Sequence, residues 1–85
     1  MAEKYKLIIG GTEIKVFTDE SEEYVNALAG ELNERITKLM INNPRCTKLD
    51  SLILSALDIL DDKKKLENEI VRLEKENEFL RKRIH

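Results

Sequence analysis

Eighty-five residues, 38% of them charged and 5% aromatic, suffice for one small helix-rich domain and leave no room for an ordinary ligand pocket. The formal net charge of −2 is patchy, with acid dominating residues 19–41 and base residues 42–48, so the single-signed basic field that nucleic acid demands is missing. A single cysteine, Cys46, excludes an intrachain disulfide framework and fits a reducing compartment.

The first element is a hairpin. Residues 4–9 alternate, with Tyr5, Leu7 and Ile9 on one face, and residues 13–17 alternate again, with Ile14 and Val16 on one face. Between them Gly10-Gly11 supplies the positive φ of a tight turn. A phosphate-cradling role for the two glycines fails on spacing, because no Lys-Ser/Thr follows them. An isolated hairpin is marginally stable, so this one must pack on helices or pair across subunits.

Thr18-Asp19-Glu20-Ser21-Glu22-Glu23 marks a helix start, where Thr18, Asp19 or Ser21 can cap and the acids suit the positive end of the helix dipole. The same acids lack the spacing of a calcium loop. The helix is predicted to run to about Met40 on a stripe of Val25, Leu28, Leu32, Ile36, Leu39 and Met40, edged by Tyr24 and Ala29. Glu31 and Arg35 stand four apart in the favourable order. Asn42-Asn43-Pro44 ends the helix. Thr47 is the best cap for a second helix, with Asp50 three residues on as the other half of a capping box.

Leu49 to Ile84 reads as one long helix. Steps of three and four connect Leu49, Leu52, Ala56, Ile59, Lys63, Leu66, Ile70, Leu73, Asn77, Leu80 and Ile84, an a/d series broken only by Lys63 and Asn77. A 3.5-residue repeat keeps its seam on a partner only if helices supercoil together, so the chain should self-associate. Between Leu52 and Leu60 the extra apolar residues Ile53, Leu54, Leu57 and Leu60 widen the stripe, which predicts burial in a globular head. Beyond Lys63-Lys64-Lys65 only a and d stay apolar. The expected architecture is therefore α+β and mostly α: an N-terminal β-hairpin, one medium helix, and one long helix of roughly 55 Å whose C-terminal half forms a coiled coil. Its domains are a head over residues 1–62 and a coiled-coil tail over residues 63–85, with an oligomerisation seam of Leu66, Ile70, Leu73, Asn77, Leu80 and Ile84. The e and g positions carry Asp62, Glu67, Glu69, Glu74 and Glu76, then Arg81 and Arg83. A parallel pair would set Asp62 against Glu67 and Glu69 against Glu74, whereas reversal brings Arg81 and Arg83 towards Glu67 and Glu69, so antiparallel association between the tails of two dimers is expected.

Enzymatic chemistry has no foothold: there is no Ser/His/Asp or Cys/His set, and His85 has no ligand-spaced neighbours. No cofactor or metal site is implied. A DNA-binding zipper needs a basic region just before the heptads, and Leu49 to Asp62 is apolar and acidic there. No stretch approaches the ~18 apolar residues of a membrane span and no signal-peptide pattern opens the chain, so a soluble cytoplasmic protein is expected. An oligomeric scaffold remains.

Ser21-Glu22-Glu23-Tyr24-Val25, Asn43-Pro44-Arg45 and Leu54-Ser55-Ala56-Leu57-Asp58-Ile59, in this order between a Gly-turn hairpin and a heptad tail, resemble the ZapA family of bacterial cell-division proteins in its short Gram-positive type. Asp58 stands where that family usually has Asn, and Cys46 where a larger apolar residue is common. The resemblance implies heads that dimerise through both helices and tails that join dimers into a dumbbell-shaped homotetramer. It also implies FtsZ, the tubulin-like GTPase, as partner, bundled by that tetramer at the mid-cell division ring. FtsZ filaments being acidic in that setting, Arg45, Lys15 and Lys48 are the candidate contacts. The alternative is a coiled-coil oligomerisation or adaptor module for another protein.

Overall fold

The computed structural model describes residues 2–84, and His85 and the side chain of Ile84 lie outside the described residues. Strands β1 (Glu3–Ile9) and β2 (Thr12–Thr18) pair antiparallel, with Tyr5 opposite Val16 and Leu7 opposite Ile14. Gly10 and Gly11 take φ values of 57° and 81°, both in the left-handed region that a two-residue turn matched to the strand twist requires. The expected alternation therefore holds, with β1 longer by Glu3 at its outer end and β2 longer by one residue at each end than the apolar pattern alone marks.

Helix α1 spans Glu22–Asn42. Of the three capping candidates Ser21 is the one that caps, its hydroxyl accepting the Tyr24 N–H at 3.2 Å. Thr18 instead accepts from the Glu20 N–H at 3.1 Å and shapes the approach to the helix. The helix passes Met40 by two residues because Asn43 closes it, both its backbone N–H (2.9 Å) and its side-chain amide (3.1 Å) donating to the Leu39 carbonyl. Leu7 of β1 and Val25 and Ala29 of α1 form the core, with Tyr5, Ile9 and Val16 packed around them. Ile36 is buried as well.

Helix α2 spans Lys48–Ile84. Its capping box closes in both directions: Thr47 Oγ1 accepts the Asp50 N–H at 3.1 Å, and the Asp50 carboxylate accepts the Thr47 N–H at 3.4 Å.

The chain divides between Ser55 and Ala56 into two compact units. In the first unit the α2 residues that are buried are Ser51 and Ser55, while Leu49, Ile53 and Leu54 stay exposed. Ser51 Oγ donates to the Lys48 carbonyl at 2.6 Å, and Ser55 Oγ has no partner among the described residues. In the second unit Leu57, Ile59 and Leu60 are exposed too. The expectation that the broad stripe from Leu52 to Leu60 is buried in the head is not met at Ile53 and Leu54 within one chain, while Leu52 is half-buried. The reason is stereochemical: the side of α2 carrying small serines is the covered one, and the bulky residues lie on other sides of the helix.

Candidate interaction surface

Several polar contacts of residues 56–83 run along the helix itself. Lys65 reaches Asp61 at 2.8 Å, Lys63 reaches Glu67 at 3.6 Å and Lys82 reaches Glu78 at 3.5 Å, all one turn apart. Arg72 bridges two acids, Glu76 at 2.6 Å and Glu69 through both nitrogens of one edge of its guanidinium. The hydrogen bond from Arg72 holds the Glu69 carboxyl below its ordinary range, and the bond to Asp61 raises the Lys65 ammonium above its own. All these pairs are exposed, so they support the helix weakly and leave its apolar residues untouched. Leu66, Ile70, Leu73 and Leu80 of the expected seam are exposed by 64%, 55%, 45% and 53%. Val71 and Phe79 are exposed outside the a/d series, and the Arg83 guanidinium lies 5.9 Å from the centre of the Phe79 ring.

The three candidate bases of the head have different neighbours. Lys48 bends back to the hairpin, its ammonium donating to Thr12 Oγ1 at 3.3 Å and its side chain lying beside Gly10 and Gly11. Lys15 stands in register opposite Lys6, and Lys6 pairs with Glu13 at 3.6 Å. Arg45 shares a shallow concavity with Asn43, Cys46, Asp50, Ile53 and Leu54.

Two features escape a reading of the sequence. Asn33 clamps the hairpin: its Oδ1 accepts the Gly10 N–H and its Nδ2 donates to the Ile8 carbonyl, both at 2.8 Å. The one signal for it was an amide set between Leu32 and Ile36, inside the apolar stripe of α1. The second is the hairpin face turned away from Leu7, where Ile8 and Phe17 are exposed and the Lys4 ammonium sits 5.7 Å from the centre of the Phe17 ring.

Among the described residues no group of His, Cys, Asp or Glu is arranged to hold a metal ion, and no helix is long and apolar enough to cross a membrane. No curated protein and no solved structure matches the chain. A family model does: the one described as Cell division protein ZapA matches residues 5–85. The capped helix, the long heptad helix and all of the hairpin but Glu3 and Lys4 lie inside that match, and the chain belongs to the ZapA family of cell division proteins.

Proposed function

We propose that this chain is a non-enzymatic cross-linker of FtsZ protofilaments at the division ring, acting as a homodimer that joins a second dimer through antiparallel tails. One observation carries the reading: a regular apolar seam runs along α2 at coiled-coil spacing, and one chain leaves it open to water. Burying a Leu or Ile is worth about 1.5–3 kcal/mol, so the four described apolar seam residues alone favour association strongly. Ile53, Leu54, Leu57 and Leu60 extend this surface towards the start of α2, which suits dimerisation of heads through their helices. The domain division proposed with it is a head over residues 1–62 and a tail over residues 63–85. Linked heads then hold neighbouring filaments at high effective concentration, so weak single contacts yield bundles. Arg45, Lys15 and Lys48 are the proposed contacts for the acidic filament.

The test is light-scattering mass across a concentration series, run beside co-sedimentation and bundling of FtsZ. Full-length chain gives dimers and tetramers and bundles filaments. A chain cut after Lys65 gives heads that dimerise at best and bind without bundling. A full-length chain that stays monomeric at tens of micromolar overturns the reading.

A further inference from the structure

The three bases of the head differ in what surrounds them. Arg45 shares its concavity with the Asp50 carboxylate, which offsets its charge locally. Lys15 stands on an open strand face beside Lys6, whose charge Glu13 already meets. Lys48 instead borders a corner of about 560 Å³ walled by Ile8, Thr37 and Met40 and floored by the Gly10–Gly11 turn. Its ammonium is bonded to a neutral hydroxyl, that of Thr12, and no carboxylate holds it among the described residues. An ammonium has three donors, so two are left for a ligand. Ile8 and Met40 are exposed by 63% and 41%, which gives the same corner a dry surface beside its charge.

The glycine turn keeps the corner open. A Cβ on Gly11 would stand 3.4 Å from Lys48 Nζ and take up space beside the ammonium. The site uses none of the α2 seam residues assigned to self-association of the tails. We propose that this corner is where the filament partner docks, through a segment that sets an Asp or Glu beside an apolar side chain. The carboxylate takes Lys48 Nζ, and the apolar side chain lies against Ile8 and Met40. Next to apolar surface a charge-assisted hydrogen bond is stronger than on an open strand, which favours Lys48 over Lys15 as the recognition point. This inference rests on the reading of the chain as a filament-binding protein.

The experiment uses the full chain with Lys48→Met and Lys48→Arg. Methionine keeps an unbranched apolar stem beside Gly10 and removes the charge; arginine restores the charge. Each variant is co-sedimented with FtsZ filaments, checked for mass by light scattering, and titrated by NMR with a synthetic peptide of alternating Asp and Leu. Lys48→Met is expected to weaken filament binding about tenfold or more, the factor set by losing one charged hydrogen bond, while Lys48→Arg keeps most of it. The peptide moves the Gly10 and Gly11 amide signals of the native chain and not those of Lys48→Met. Undiminished filament binding by Lys48→Met, with the native chain binding normally, overturns the corner and leaves the filament reading standing. A change of mass in Lys48→Met also overturns it, because the corner then serves contact between copies. Failure of the native chain itself to co-sediment sinks the filament reading, and the proposal with it.

Discussion

Three single residues report on how the head is built, two of them on how the hairpin is held. Asn33 satisfies one donor and one acceptor of β1 and its turn, so Asn33→Ala leaves the Gly10 N–H and the Ile8 carbonyl without their partner. The expected loss is about 1–2 kcal/mol, read as a lower denaturant midpoint with an unchanged slope. Asn33→Asp keeps the acceptor for Gly10 and loses the donor to Ile8, and should fall between the two. The turn glycines answer a different question. At Gly10 an added Cβ meets Lys48 and Ile36 at 3.5–3.8 Å, ordinary contact, so the cost of Gly10→Ala is conformational and about 1–2 kcal/mol. Gly30, inside α1, has nothing within 4 Å of an added Cβ. Gly30→Ala therefore raises the midpoint by about 0.5–1 kcal/mol, since alanine is the better helix former. A loss of stability at Gly30 would instead place another copy of the chain against that side of α1.

At the level of elements, the tail allows a clean titration. The Glu69 carboxyl is held below its ordinary range by Arg72, so whatever stability the pair contributes is present above the unfolded carboxylate value near pH ~4.3 and disappears as pH falls through the lower folded value. The informative quantity is the difference in helix content between the native chain and Arg72→Ala, followed by circular dichroism. It should be constant near neutral pH and change as pH falls through the lowered folded value, where the native chain too gains a neutral Glu69 and only the pH-independent difference in helix propensity remains. Lys65 runs in the opposite sense: its pair with Asp61 contributes below the ordinary lysine range and is lost at strongly alkaline pH. The hairpin, both helices and the Thr47–Asp50 box were all legible in the sequence, because each rests on signals a few residues apart. What one chain does with the wide apolar stretch of α2 was not legible. A stripe states that it will be buried without naming the surface that buries it, and here one chain covers Ser51 and Ser55 instead. The Asn33 clamp was hidden for a related reason, since it joins residues 23 and 25 positions apart.

At the scale of the whole molecule, the open question is how tails meet. In the proposed assembly the seam draws them together, since every described apolar a and d residue from Leu66 to Leu80 is exposed in the single chain. Direction is decided by weaker forces. Arg72 is already engaged by Glu69 and Glu76 of its own helix, so it contributes little to pairing across helices. Arg81 and Arg83 near one end and Glu67 and Glu74 farther along, with Glu69 and Glu76 sharing Arg72, are the charges that choose. Asn77, at an a position, pairs with a polar partner only in matched registers and so sharpens the choice. Pairs of this kind are worth well under ~1 kcal/mol each; they select an arrangement that apolar contact makes possible. Reversal about residues 74–76 sets Lys82 of one dimer level with Asn68 of the other. In a wholly parallel assembly those two positions are offset along the axis by roughly 21 Å. Spin labels at Lys82→Cys and Asn68→Cys, in separate chains carrying Cys46→Ser and then mixed, distinguish the two. A short distance between the unlike labels is the expected result. Close contact only between like labels would make the tail a parallel bundle, with all its heads at one end and no means of bridging filaments from both.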